Sequence, residues 1–249
     1  MSGHSKWHTI KHKKGAADAK RGKVFTRLIK ELTVAARAGG GDADSNPRLR
    51  TIIAEAKASN MPRENIERAI RRGTGEEPGV SYEEITYEGY GPGGVALLIQ
   101  TLTDNKNRTV GEIRHLLGKH NGNLAAENSV AWMFTRKGQV VVEKGTADEE
   151  SLLDAALDAG ADDVNDDGSA WEIVSAPEAF ETVRDAVKGL GLEPASAIVA
   201  MIPQNYVKLQ GRDAQQMLRL MDALDDHDDV QHVWANFDIE EREIEASMA

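Results

Sequence analysis

The chain has 249 residues, no cysteine and a formal net charge of −11. The absence of cysteine excludes disulfides, a thiolate nucleophile and Cys-ligated zinc, and no run of about 18 apolar residues exists from which a membrane-spanning helix could form. The length admits two or three compact domains. The basic start has no apolar stretch behind it, so no secretory signal is expected and the protein is expected to be cytoplasmic, without membrane contact.

The charge is unevenly placed. The first thirty residues hold nine Lys or Arg and a single acid, Asp18. Residues 1–72 carry 17 basic and 7 acidic side chains, whereas the rest carries 13 basic and 34 acidic ones. A cationic head on an anionic body points to a polyanionic partner, because each phosphate neutralised by Lys or Arg releases a condensed counterion.

In chain order, a first helix is predicted from Val24, Leu28, Leu32 and Ala35 on one face. It stops at the hinge Gly39-Gly40-Gly41. A second helix starts at Asn46-Pro47, where Asn caps and Pro suits the first turn, and carries Leu49, Ile52, Ile53 and Ala56. A third follows Asn60-Met61-Pro62 with Ile66, Ala69 and Ile70, and Gly73 to Gly79 reads as a linker. Residues 1–79 are therefore expected to form a basic helical domain with a flexible arm before Gly15, too poor in apolar residues to fold alone.

Beyond residue 80, strands are predicted at Tyr82–Tyr90, Val95–Leu102 and Val130–Thr135. Thr109-Val110-Gly111-Glu112 fits a capping box opening a helix with Ile113, Leu116 and Leu117. From Gln139 the order is strand (Val140–Val142), helix (Leu152, Leu153, Ala156, Leu157), strands at about 162–166 and 170–175, helix (Phe180, Val183, Val187, Leu190) and strand (Ile198–Ile202). This β-α-β-β-α-β order is that of a ferredoxin-like sandwich. A last helix (Met217, Leu220, Met221, Leu224) and strand (Val230–Ile239) make a poor domain alone. They are expected to complete 80–137. The fold class is then α+β in three domains: 1–79 helical; 80–137 plus 205–249, a discontinuous α/β domain; and 138–204, ferredoxin-like and inserted in it.

Within the basic arm, Lys6, Lys11, Lys13, Lys14, Lys20, Arg21, Lys23 and Arg27 are candidate phosphate contacts, and Trp7 a platform on which an exposed base could stack. The plainer alternative is a solvated tail, or an arm lying on the protein's own acidic body. Arg48, Arg50, Arg63, Arg68, Arg71 and Arg72 extend the basic surface. The second and third helices resemble a helix-turn-helix pair, but no fingerprint of that motif is present, and sequence-independent phosphate contact is preferred to base readout. Asn105, Asn107 and Arg108 precede a predicted helix and could hold a phosphate at its N-terminus, although a polar loop with its cap is the preferred reading.

Other motifs yield no site. His4, His8 and His12 have helical spacing for zinc but no nearby carboxylate and many competing cations. Gly89 to Gly94 contains G-x-G-x-x-G, but a strand follows where a dinucleotide fold needs a helix. Asp163 to Gly168 imitates a calcium loop whose twelfth position would be Val174, not Glu. The acid clusters Asp162/Asp163, Asp225/Asp226 and Asp228/Asp229 read as solvated, and no Ser-His-Asp order, P-loop or HExxH is present. No enzyme, cofactor, metal or small-molecule substrate is expected.

Several blocks carry a family resemblance: Gly3-His4-Ser5-Lys6-Trp7, Ile10 to Lys13, Asp18 to Lys23, Gly39 to Asp42, Asn46 to Arg50, Tyr87 to Gly94, Asp104 to Thr109 and Asp228 to Val233. Together they resemble the YebC/PmpR family along essentially the whole chain. The resemblance implies a helical N-terminal domain followed by two α/β domains. It also implies a transcriptional regulator that binds promoter DNA, while mitochondrial relatives resemble translational activators and some bacterial members are linked to ribosomes stalled on proline-rich nascent chains. The expected function is a non-enzymatic nucleic-acid-binding regulator of gene expression, acting on DNA or, alternatively, on the ribosome and its RNA. The candidate contacts are His4, Ser5, Lys6, Trp7, Lys11, His12, Lys13, Lys14, Lys20, Arg21, Lys23, Arg27, Arg48, Arg50, Arg71, Arg72, Asn105, Asn107 and Arg108.

Overall fold

The computed structural model describes Trp7 and residues 17–145, 148–166, 168 and 170–247, with the backbone alone for 17–21. Helices α1 (Ala17–Gly39), α2 (Pro47–Ala58) and α3 (Arg63–Thr74) come first. Leu28, Leu32 and Ala35 of α1 meet Leu49, Ile52 and Ala56 of α2 and Ile66 and Ala69 of α3 in one buried cluster. Asn46 caps α2 by accepting from the Leu49 N–H at 3.1 Å, with Pro47 in the first turn. Gly73 is not part of a linker: α3 continues through it to Thr74, and it is buried against α1. A Cβ there would stand 2.5 Å from the Thr33 carbonyl oxygen, so the helices cross on a bare backbone. Gly75, at φ 85°, ends the helix instead.

The next elements are β1 (Glu83–Tyr90), β2 (Ala96–Thr103), α4 (Lys106–Lys119) and β3 (Asn123–Leu124). Then follow β4 (Phe134–Glu143), α5 (Glu149–Asp158), β5 (Ala161–Asp166), β6 (Ala170–Ser175), α6 (Phe180–Gly189) and β7 (Ser196–Pro203). The chain closes with β8 (Val207–Lys208), α7 (Gly211–Asp225), β9 (Val230–Ala235), β10 (Phe237–Asp238) and α8 (Glu241–Ser247).

Two four-stranded sheets result, ordered β3-β1-β2-β9 and β5-β6-β4-β7, with β8 and β10 forming a short parallel pair. The second sheet is antiparallel throughout, with α5 and α6 over one face; Val140, Val142, Leu152, Ala156, Ile173, Val183 and Val187 fill the space between. This is the ferredoxin-like unit. The first sheet takes its edge strand β9 from the far side of that unit in sequence, pairing it antiparallel with β2. Leu97 and Ile99 of β2 pack with Ile113 and Leu117 of α4 and Met217, Leu220, Met221 and Leu224 of α7. The two sheets meet where Ala96, Leu98 and Trp234 touch Phe134 and Ala200. The fold is thus α+β: a helical N-terminal domain and two α/β units, one inserted in the other.

Three local expectations change. Residues predicted as two strands, 130–135 and 140–142, form a single strand β4 from Phe134, preceded by a 3-10 turn at Ala131–Met133. Glu88 shapes that turn by accepting from the Asn128, Val130 and Ala131 N–H groups at 2.6–2.9 Å. Helix α4 begins one turn before Thr109, with Asn105 as its cap. The predicted strand 230–239 breaks at Asn236, whose side chain accepts from the Ala96 N–H at 2.7 Å.

Candidate nucleic-acid interface

His4, Ser5, Lys6, His8, Lys11, His12, Lys13 and Lys14 lie outside the described residues, as do the side chains of Lys20 and Arg21. Trp7 is described, and it corrects an expectation. Its side chain is fully buried, in the cluster formed by β2, α4, α7 and β9. A tryptophan ring buries about 150–250 Å², and here that area is removed from water by the protein's own core. The ring is not available to stack on a base.

From Lys23 onward, α1 carries a basic stripe. Lys23, Arg27 and Lys30 are spaced i, i+4, i+7 and share one helix face. That face lies on the C-terminal end of α7 and the loop to β9. Lys23 Nζ bonds Asp226 Oδ1 at 3.0 Å and the Asp226 carbonyl at 3.1 Å. Arg27 Nη2 bonds the Asp225 carbonyl at 3.2 Å and Oδ1 at 3.4 Å. Lys30 Nζ bonds Asp229 Oδ1 at 2.7 Å and the carbonyls of Asp228 and Leu102 at 2.9 and 3.3 Å. The last carbonyls of a helix have no partner within it and carry partial negative charge, so α1 supplies the cations that α7 lacks in its own last turn. The acids at 225, 226 and 229 are therefore engaged by α1, which corrects their reading as merely solvated.

Asp229 is the hub. Besides Lys30, its Oδ2 accepts from Arg108 Nη2 and Thr109 Oγ1, each at 2.7 Å. Burial alone would raise its pKa, but the hydrogen bonds from Lys30, Arg108 and Thr109 prevail and hold the carboxyl well below the usual carboxylate range. Arg108 also reaches Asp104 at 2.9 Å. Asp229 and Asp104 keep its guanidinium pKa above the ordinary value. Glu112, His227 and Asp229 bring ligand atoms within 4.8 Å of one another. Both Asp229 oxygens are already taken by cationic donors, and the Asp229 N–H donates to His227 Nδ1 at 3.1 Å, leaving Nε2 to donate to Glu112 at 3.0 Å. A cation would have to displace Lys30 and Arg108, so the cluster functions as an ion-pair network.

The other predicted contacts are dispersed. Arg48 pairs with Glu84 at 3.0 Å, bridging α2 and β1. Arg50 donates to the carbonyls of Ala43 and Asp44. Arg71 pairs with Glu77 at 2.6 Å. Arg63 and Arg68 pair with Glu67 and Glu64 within α3. Arg72 and Asn107 are exposed. Asn105 spends its Oδ1 on capping α4. The structure gathers Lys23, Arg27 and Arg108 around one acidic loop. Sequence reasoning missed Lys30, Thr109 and Asp229 as members of that group. Lys30 falls on the same stripe as Lys23 and Arg27 and was findable from spacing; the other two join through a tertiary contact without local signature.

Comparison with known proteins fixes the family. Residues 5–76 match the model described as the TACO1/YebC protein N-terminal domain, and residues 82–237 match that of the TACO1/YebC second and third domain. A probable transcriptional regulatory protein of Koribacter versatilis is 60% identical over 245 residues, covering 98% of each chain. One from Geobacter sulfurreducens is 59% identical over 248 residues, covering 100% of each. A crystal structure of a conserved hypothetical protein from Aquifex aeolicus superposes with a TM-score of 0.81 at 45% identity, covering 90% of this chain and 93% of that one. Its N-terminal helical domain, its two α/β units and its full-length relatives place this chain in the TACO1/YebC family, whose curated members here bear the name of transcriptional regulators.

Proposed function

We propose that the protein is a non-enzymatic, cytoplasmic, DNA-binding regulator of transcription that docks through its basic N-terminal domain. The observation that carries this reading is the charge division: nine cations against one acid in the first thirty residues of a chain with net charge −11. The names of the relatives support regulation as the outcome. The anionic remainder would orient the particle, since it is repelled by the same phosphates. A second reading, docking on ribosomal RNA as a translation factor, is favoured by one feature. Arg63, Arg68 and Arg71 of α3 each stand beside a glutamate, which dilutes the positive charge that helix would present to base edges. Sequence-independent phosphate contact fits that arrangement.

Titration of the full chain against promoter duplex, random duplex and ribosomal RNA fragments over a range of KCl separates the readings. Binding should weaken with salt, with a log–log slope of about −0.9 per phosphate neutralised on duplex DNA. Preference for promoter over random duplex supports the first reading. Preference for ribosomal RNA, with co-sedimentation on ribosomes, supports the second. Binding to none of the three at low salt overturns both.

A further inference from the structure

The geometry points to a phosphate-binding stripe on α1 that the protein occupies with its own acidic turn: we infer that Asp225 and Asp226 are internal occupants, displaced by a nucleic-acid backbone from the outer end inward. This inference rests on the nucleic-acid reading above and adds how that surface is regulated. Lys23 and Arg27 each face two oxygens, one carboxylate and one carbonyl, from a single residue. A phosphodiester likewise offers a cationic donor two oxygens, both on one anionic group. A phosphate chain therefore competes for the same donors, and like charge prevents it from sharing them with Asp225 and Asp226.

The grip is graded. Side-chain exposure falls along the stripe from 48% at Lys23 to 28% at Arg27 and 9% at Lys30. Ion pairs open to solvent are weak and screened by salt, and counterion release from a polyanion favours their exchange for phosphate. The inner pair differs: Asp229 is 3% exposed and is held at once by Lys30, Arg108 and Thr109. Removing one partner of such a pair strands a buried charge. The outer rungs release while Lys30–Asp229 remains as the pivot. The α7 carbonyls uncovered at Asp225 and Asp226 sit at the exposed end, where water replaces their donors.

The test exploits the cysteine-free sequence. Lys23→Cys and Asp226→Cys are introduced together in the full chain, at two surface positions whose replacement empties no core. One portion is bridged with a bifunctional maleimide and the other has both thiols capped separately, so the two differ only in whether α1 can leave the turn. Affinity is read by fluorescence anisotropy on a random duplex and on a single-stranded RNA, each of about 20 nucleotides per strand, at low and moderate salt. The bridged form should bind at least several-fold more weakly than the capped form. The double variant Asp225→Asn with Asp226→Asn should bind more tightly than wild type. Weakening on one probe only identifies that nucleic acid as the competitor. Equal affinity of bridged and capped forms on a probe that wild type binds overturns the internal-occupant inference and leaves the nucleic-acid reading intact. Failure of wild type to bind either probe overturns the inference and, with it, sequence-independent phosphate contact as the mode of docking.

Discussion

Asp229 receives a lysine from α1 and an adjacent arginine and threonine from α4, and all three contacts are 2.7 Å long. Asp229→Ala should cost about 3–5 kcal/mol, because Lys30 is left charged and nearly buried; urea unfolding followed by circular dichroism measures it. The carboxyl pKa is depressed in the folded state, so its contribution is present above the unfolded value of about 4 and lost as pH falls through the lower folded value. The difference between wild type and variant should stay constant from pH 8 to about 5 and shrink only in stronger acid. Glu31 behaves in the opposite sense. Burial, then the neighbouring Glu55, push its pKa up to about 7 against the pull of Arg27 and Arg48. Glu84 adds a smaller upward push, and His232 Nε2 lies 3.9 Å away. A raised folded pKa gives stability that is complete below about 4.5 and lost as pH rises through about 7. Glu31→Gln should therefore raise the melting temperature at pH 8 and change it little at pH 5. An equal effect at both pH values would mean that its ionisation is not what matters.

At the scale of elements, the crossing of α1 and α3 depends on Gly73. Gly73→Ala would bring a methyl to 2.5 Å from the Thr33 carbonyl and 2.7 Å from Ala36 Cβ. Such overpacking should destabilise by about 1–3 kcal/mol, readable as a lower urea midpoint with an unchanged slope. The same element shows how far sequence reasoning reaches. The apolar spacing of α3 located its buried face, and the Asn46-Pro47 start of α2 was legible because capping is local chemistry. Sequence alone makes Gly73 part of a linker because glycine usually punctuates, and only the approach of a distant helix explains it within one. Local pattern makes Thr109 a cap, yet its hydroxyl is buried between Thr103 and Asp229, and Asn105 caps instead. Strand β4 was split because its first residues and its apolar middle look unalike; pairing with β7 from Phe134 to Val141 joins them. The βαββαβ order was recoverable, since each of its connections is short.

For the whole molecule, the charge division is legible in the sequence, and an arm lying on the acidic body is one reading of it, but the residues that meet are not. In the sequence the cationic head reads first as an arm reaching outward, whereas α1 spends Lys23, Arg27 and Lys30 on the acidic body. That contact brings together residues about two hundred positions apart, a separation no window of sequence can report. We propose the division 1–79, 80–137 plus 205–249, and 138–204 as the folding units, with the last extended to residue 134 by the β4–β7 ladder. A fragment spanning 134–204 carries a complete sheet, two helices and its own core. It should unfold cooperatively when expressed alone. A fragment of 80–137 should not, since it lacks β9 and α7. Cooperative melting of 80–137 by itself would refute the division.

The burial of Trp7 under the first sheet has a practical consequence for anyone asking what the positive end is for. Clipping off the leading two dozen residues strips charge and, in the same cut, leaves a hole the size of an indole in the core cluster that also holds Leu97, Ile113 and Met217. Lost binding in such a truncation could then report a loosened hydrophobic interior. Exchanging the lysines for glutamine while keeping the tryptophan separates the two effects.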